Sequence, residues 1–120
     1  MQTEYVRNRS VLTIHLPEEV DHCCTEQIRR EADRIIEKCL VSRVIFDFSK
    51  TNFMDSSGIG VIMGRYKIMM LRRGRVEAVN LNRQMQRIFK MSGLEKIIKV
   101  IRKEDLEEIN GNNKSYGNKI

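Results

Sequence analysis

The 120-residue chain predicts an α/β layer fold built on a mostly parallel sheet. Apolar, β-favouring runs alternate along it with segments whose apolar residues recur every three or four positions. A parallel sheet joined by crossover helices requires that alternation. The joints between the segments hold Asp, Asn, Ser, Pro and Gly, the residues that start and stop such elements. The order reads β-α-β-α-β-α-β-α, which gives four helices on a sheet of four strands, or five strands if a short one near Tyr5-Val6 pairs antiparallel with the next.

Val11-Leu12-Thr13-Ile14-His15-Leu16 is the first full strand, preceded by a turn at Arg7-Asn8-Arg9 and ended by Pro17, which brings no N–H to a ladder. Asp21 is placed to cap the first helix, whose apolar face is Ile28, Ala32, Ile35, Ile36 and Cys39. Val44-Ile45-Phe46-Asp47-Phe48 has the near-continuous apolar character of a central strand covered on both faces. After the loop Ser49–Asn52, a second helix begins near Ser56 with Ile59, Ile62, Met63, Tyr66 and Met70 on one face. Gly58, Gly60 and Gly64 each cost that helix about 1 kcal/mol relative to Ala, which points to a close approach to a sheet or a partner. Gly74 is expected as its left-handed terminator. Arg75–Asn80 alternates as a strand, Asn82 caps a third helix with Met85, Ile88, Phe89 and Ser92 inward, and Gly93 closes it. Ile97–Ile101 is the last strand and Glu104–Ile109 a short fourth helix. Residues 1–109 thus form one domain, and the polar stretch 110–120 is expected to be disordered.

Composition narrows the function classes. A chain that is 41% hydrophobic and 32% charged has the material for a folded core. No run approaches the roughly 20 apolar residues of a membrane span, and the polar start Met1–Tyr5 has no signal-peptide core. A cytoplasmic protein without a membrane partner is expected. Cys23, Cys24 and Cys39 are odd in number and lack C-x-x-C spacing, so they are expected as half-buried helix residues without metal or cofactor. The net charge of +6 is a mild pointer to an anionic partner. Its basic residues are scattered and are not interleaved with aromatics, so nucleic acid is not expected. The dense Arg72-Arg73-Gly74-Arg75 reads as a solvated helix end.

The candidate site is Asp55-Ser56-Ser57-Gly58, where strand and loop turn into the second helix. The first turn of a helix carries unpartnered N–H groups and partial positive charge, so this spot suits a nucleophile, a phosphate or a plain cap. Glu19-Val20-Asp21-His22 opens the preceding helix, and carboxyl-end loops of a parallel sheet can bring it near. A dinucleotide fingerprint fails because the third glycine, Gly64, comes one position late and the glycines lie inside the helix; no P-loop pattern exists. A hydrolase pairing Ser56 with His22 and Asp21 or Asp55 lacks a G-x-S-x-G elbow. Capping alone accounts for Asp55, Ser56 and Ser57, but not for the apolar Phe53-Met54 before them or for Ile59 and Met63 after, which suit a partner surface.

The run Phe53-Met54-Asp55-Ser56-Ser57-Gly58-Ile59-Gly60-Val61-Ile62-Met63-Gly64-Arg65-Tyr66-Lys67 resembles the signature of STAS-domain anti-sigma-factor antagonists, most closely their sporulation branch acting on the anti-sigma F factor. Arg87–Ile98 is similar to that family's third helix and last strand, and Glu19–His22 to its acidic segment. Pro17-Glu18 and Cys23-Cys24 depart from it. The resemblance, over residues 5 to 109, implies a STAS fold and a protein that is not an enzyme. It implies that the unphosphorylated form binds the anti-sigma factor, itself a serine kinase, and releases the sigma factor. Ser56 becomes the phosphorylated residue and a PP2C-type phosphatase the partner that restores it. Asp21, His22, Asp55, Ser57, Gly58, Ile59 and Met63 become the partner-binding residues, on a monomer or weak dimer. A STAS subunit of a signalling scaffold, such as a stress-response complex, is the alternative, and particle size separates the two.

Overall fold

The computed structural model describes residues 2–102 and Asp105. The expected fourth helix, Asp105 apart, and the tail from Asn110 lie outside the described residues. The elements are β1 (Glu4–Asn8), β2 (Val11–His15), β3 (Glu19–Val20), α1 (Thr25–Lys38), β4 (Arg43–Asp47), β5 (Phe53–Met54), α2 (Ser56–Leu71), β6 (Arg75–Val79), α3 (Arg83–Ser92), a 3₁₀ turn (Leu94–Lys96) and β7 (Lys99–Ile101).

Five strands form one mixed sheet in the order β1-β2-β4-β6-β7, with β4 in the middle. Only β1 runs antiparallel: Glu4 faces His15 and Asn8 faces Val11, around a turn in which Arg9 takes φ 58°. The other pairs are parallel and in step, Leu12 beside Val44 beside Val76. Side-chain alternation sends Leu12, Ile14, Val44, Phe46, Val76 and Ala78 into one core with Ile28, Ala32 and Ile36 of α1, Val61, Ile62 and Met69 of α2, and Met85 and Phe89 of α3. Phe48 meets Phe89 edge to face, with ring centroids 5.3 Å apart. Ile45, Val79 and Ile101 make a second cluster with Val11.

Several element boundaries differ from the sequence expectation. Helix α1 starts at Thr25 with Cys24 at the cap position and no capping side chain; Asp21 stands one turn earlier. Its carboxylate Oδ1 accepts the Cys23 N–H at 3.0 Å and its carbonyl accepts the N–H groups of Cys24 and Thr25, so it organises the turn before the helix. Cys23 is consequently exposed in that turn, not half-buried on a helix.

The end of α2 is a Schellman turn: Gly74 N–H reaches Met69 O at 2.7 Å and Arg73 N–H reaches Met70 O at 3.1 Å. The left-handed residue is Arg73, at φ 59°, and not Gly74. Gly74 is needed for space, because a Cβ there would lie 2.5 Å from Met69 Cε and 2.8 Å from the Ser42 carbonyl. The core face of α2 is Gly58, Val61, Ile62, Arg65 and Met69, rotated from the predicted stripe; Met70 is exposed. Buried Arg65 places Nε 2.9 Å from Asp33 Oδ1 on α1, an ion pair without hydrogen-bond alignment. Burial lowers the Arg65 pKa and Asp33 opposes the change. Strand β6 is buried at Val76, Glu77, Ala78 and Val79 in succession, because Glu77 pairs with Arg43 of β4. The last strand begins only at Lys99, since Leu94–Lys96 closes a 3₁₀ turn first.

Candidate functional site

A two-residue ribbon builds the site. Glu19-Val20 and Phe53-Met54 pair in parallel, apart from the main sheet, with Glu19 beside Phe53 and Val20 beside Met54. Asn52 N–H donates to Glu18 O at 2.8 Å and Asp55 N–H to Val20 O at 3.2 Å, which locks the two loops together. This ribbon makes neighbours of the two segments expected at the carboxyl end of the sheet. Such short strands carry no periodicity, and no sequence signal announces them.

Asp55 caps α2 from extended backbone, with φ −92° and ψ −173°. Its Oδ1 accepts from Ser57 N–H at 2.9 Å, Gly58 N–H at 3.1 Å and Ser57 Oγ at 2.5 Å. Its Oδ2 accepts the His22 N–H at 3.3 Å and lies 3.9 Å from His22 Nδ1. The Ser57 hydroxyl, with the backbone N–H groups of Gly58, His22 and Ser57, holds the Asp55 carboxyl below the usual carboxylate range against the effect of desolvation.

The two serines differ in what holds them. Ser57 is half-buried and its hydroxyl is engaged by Asp55. Ser56 is exposed, and its hydroxyl makes no hydrogen bond to the described residues. Asp55 already uses the Ser57 and Gly58 N–H groups, so they are not free for an incoming phosphate. A group added to Ser56 therefore stands in solvent at the helix mouth, beside a carboxylate.

The three glycines also part ways. A Cβ on Gly58 would lie 2.5 Å from Met54 Cγ and 2.6 Å from Val20 O, so this glycine seats the helix start on the ribbon. At Gly60 and Gly64 a Cβ would meet nothing within 4 Å. These two follow Ser56 at intervals of four residues and lie on its side of the helix. Together they leave a smooth open strip, flanked by half-buried Ile59 and Met63, while the ribbon residue Phe53 is 46% exposed. Asp21 and exposed His22 border it through Asp55.

Sequence reasoning missed a second polar cluster. His15 Nδ1 sits 2.7 Å from Asp47 Oδ2; Asn80 Nδ2 donates to Asp47 Oδ1 at 2.9 Å and Ser49 N–H to the same oxygen at 3.0 Å. Burial raises the Asp47 pKa, but the hydrogen bonds from Asn80, Ser49 and His15 together outweigh it and the net shift is downward. These groups tie the carboxyl ends of β2, β4 and β6. Asp47 is the one polar residue of the run Val44–Phe48, and only the strand register shows its partners.

Residues 2–106 match the family model described as the STAS domain. The chain belongs to the STAS-domain family of anti-sigma-factor antagonists. It is 34% identical over 100 residues to an anti-sigma F factor antagonist from Paenibacillus polymyxa, covering 83% of this chain and 86% of the relative. It is 35% identical over 86 residues to another from Lysinibacillus sphaericus, covering 72% and 74%. Among solved structures it is similar to the anti-sigma factor antagonist SpoIIAA in its unphosphorylated form, with a TM-score of 0.78, 28% identity, and 92% and 97% of the two chains covered. It is also similar to the Bacillus cell fate determinant SpoIIAA in the phosphorylated form, with a TM-score of 0.71, 30% identity, and 89% and 97% covered. The STAS fold that the resemblance implies is the fold observed. Among the described residues, no helix is long and apolar enough to cross a membrane.

Proposed function

We propose that this chain is an anti-sigma factor antagonist of the sporulation branch, working as a binding module in the cytoplasm and not as an enzyme. Its unphosphorylated form docks the mouth of α2 on the anti-sigma factor, a serine kinase, and frees the sigma factor. Phosphorylation of Ser56 abolishes docking, and a PP2C-type phosphatase restores it. The two relatives at 34% and 35% identity, both named anti-sigma F factor antagonists, support the branch.

The observation that carries the switch is the contrast between Ser56 and Ser57. Ser56 offers an exposed, unengaged hydroxyl at the head of the open strip; Ser57 is half-buried and bonded to Asp55. His22 and Ser56 form the exposed part of the contact face, and Asp21, Asp55, Ile59 and Met63 its half-buried part. Ser57 and Gly58 act through the cap and the seat they give the helix start.

Phosphorylation adds about −1.5 to −2 charges at pH 7. The N-terminal end of α2 tolerates that charge, so the fold survives. With the Ser57 and Gly58 N–H groups already taken by Asp55, the phosphate keeps most of its water and repels the adjoining carboxylate. Burial of that group under a partner without a matching cation is unfavourable by several kcal/mol. The test is incubation of the chain with the anti-sigma kinase and ATP, followed by peptide mass spectrometry. One phosphoryl group on Ser56, absent in Ser56→Ala, is expected. Transfer to Ser57, or no transfer, overturns the reading.

A further inference from the structure

We propose that the turn ahead of α1 is a zinc-class metal site, with Asp21, His22 and Cys23 as its protein ligands. Ligand atoms of these three side chains all lie within 4.8 Å of one another. The sequence hides this, because consecutive residues do not match any usual ligand spacing. The turn makes it possible: by accepting the Cys23 N–H on Oδ1, the Asp21 carboxylate curls over the two residues that follow it.

One donor pair already stands close to a tetrahedral edge, and the third donor lies within 4.8 Å of both. Cys23 Sγ and His22 Nε2 are 3.7 Å apart. Zinc bonds of about 2.3 Å to sulfur and 2.0 Å to nitrogen span a tetrahedral edge of about 3.5 Å, so the pair needs only a few tenths of an ångström to close on a metal. An Asp21 carboxylate oxygen supplies the third ligand, and exposure of His22 and Cys23 leaves the fourth position to water. Sulfur, imidazole and carboxylate together suit zinc over magnesium or calcium, which take oxygen donors.

Two neighbours organise the donors. With Nε2 turned to the metal, the other ring nitrogen, Nδ1, faces Asp55 Oδ2 at 3.9 Å. A carboxylate on that side is the arrangement that orients metal-bound histidines once the contact tightens. Cys24, by contrast, directs its thiol to the carbonyls of Glu19 and Asp21, so the adjacent cysteines do not compete for the ion. Ion binding here does not depend on whether Ser56 is the phosphorylated residue.

Cobalt(II) is the probe, titrated into the full reduced chain. One ion per chain is expected, with thiolate-to-cobalt charge-transfer absorption and visible bands of tetrahedral intensity, both lost when zinc is added. His22→Ala and Cys23→Ser each should weaken binding at least tenfold while circular dichroism stays unchanged, since both side chains are exposed. Cys24→Ser and Cys39→Ser should bind as the parent does. Absence of charge-transfer absorption, or its persistence in Cys23→Ser, overturns the site. Equal cobalt affinity in His22→Ala overturns it as well.

Discussion

Asp55 and Asp47 are the same side chain in two settings, and the difference separates the proposed switch from a structural tie. Asp47 ends strand β4 and Asp55 follows strand β5, each accepts the N–H of the residue two positions on, and hydrogen bonds hold each below the ordinary carboxylate range. Asp47 is 8% exposed and closed in by His15, Asn80 and Ser49. Asp55 is open along one edge, with exposed Ser56 beside it. A carboxylate surrounded by fixed donors ties strands together. A carboxylate at an open mouth keeps the helix start formed while the neighbouring hydroxyl is left free to change.

The sharpest way to break this contrast is to add a charge at one end and remove it at the other. Ser56→Asp should weaken anti-sigma factor binding by about 4 kcal/mol, roughly a thousandfold, as measured by calorimetric titration. The same variant should unfold within about 0.5 kcal/mol of the parent, because the site is exposed. A large loss of stability with affinity intact would reverse the assignment of roles.

Asp47→Ala should show the opposite profile. It strands the donors of Asn80 and Ser49 and the His15 ring nitrogen, and should lower unfolding stability by about 3 kcal/mol with partner affinity unchanged. The pH dependence follows from the lowered pKa. A carboxylate depressed in the fold adds stability above its unfolded pKa of about 4, and that stability is lost as pH falls through the folded value. The gap between parent and Asp47→Ala in urea unfolding should therefore be full at pH 7 and shrink below about pH 4. A gap that does not change with pH would mean that the carboxylate's charge is not what holds the strand ends.

Asp55→Ala is the intermediate case. Loss of the cap should cost about 1 kcal/mol of stability, and affinity should fall as well, because the Ser57 hydroxyl and the His22 backbone lose their anchor. A variant that loses stability alone would show that the mouth keeps its shape without the cap.

The sequence shows this contrast only in part. The α/β order, the central strand, the caps Asp55 and Asn82 and the left-handed Gly93 are all legible, because each rests on a local rule of periodicity or backbone geometry. The start of α1 is not, because Cys24 carries no capping group to mark it. Arg65 is not, because an arginine on an apolar helix reads as surface until Asp33 arrives from α1. Gly74 misleads for a physical reason: glycine serves both positive φ and close approach, and here Arg73 takes the first role while Gly74 takes the second. Ser56 and Ser57 are chemically identical in sequence. Burial and the hydrogen bond from the Ser57 hydroxyl to Asp55 separate them, and both belong to the folded chain.

The smallest expected effect tests what the open strip is for. Gly60→Ala adds a methyl group that meets nothing within 4 Å, and should stabilise α2 by about 0.5–1 kcal/mol through helix propensity. Gly58→Ala adds the same methyl group 2.6 Å from the Val20 carbonyl, and should destabilise by about 1–3 kcal/mol. A protein selected for stability alone has no use for glycine at position 60. If the strip beside Ser56 is where the anti-sigma factor lies close, the more stable Gly60→Ala variant should bind it less tightly. Unchanged affinity in that variant would leave the phosphorylation site standing but would move the docking surface off this face of the helix.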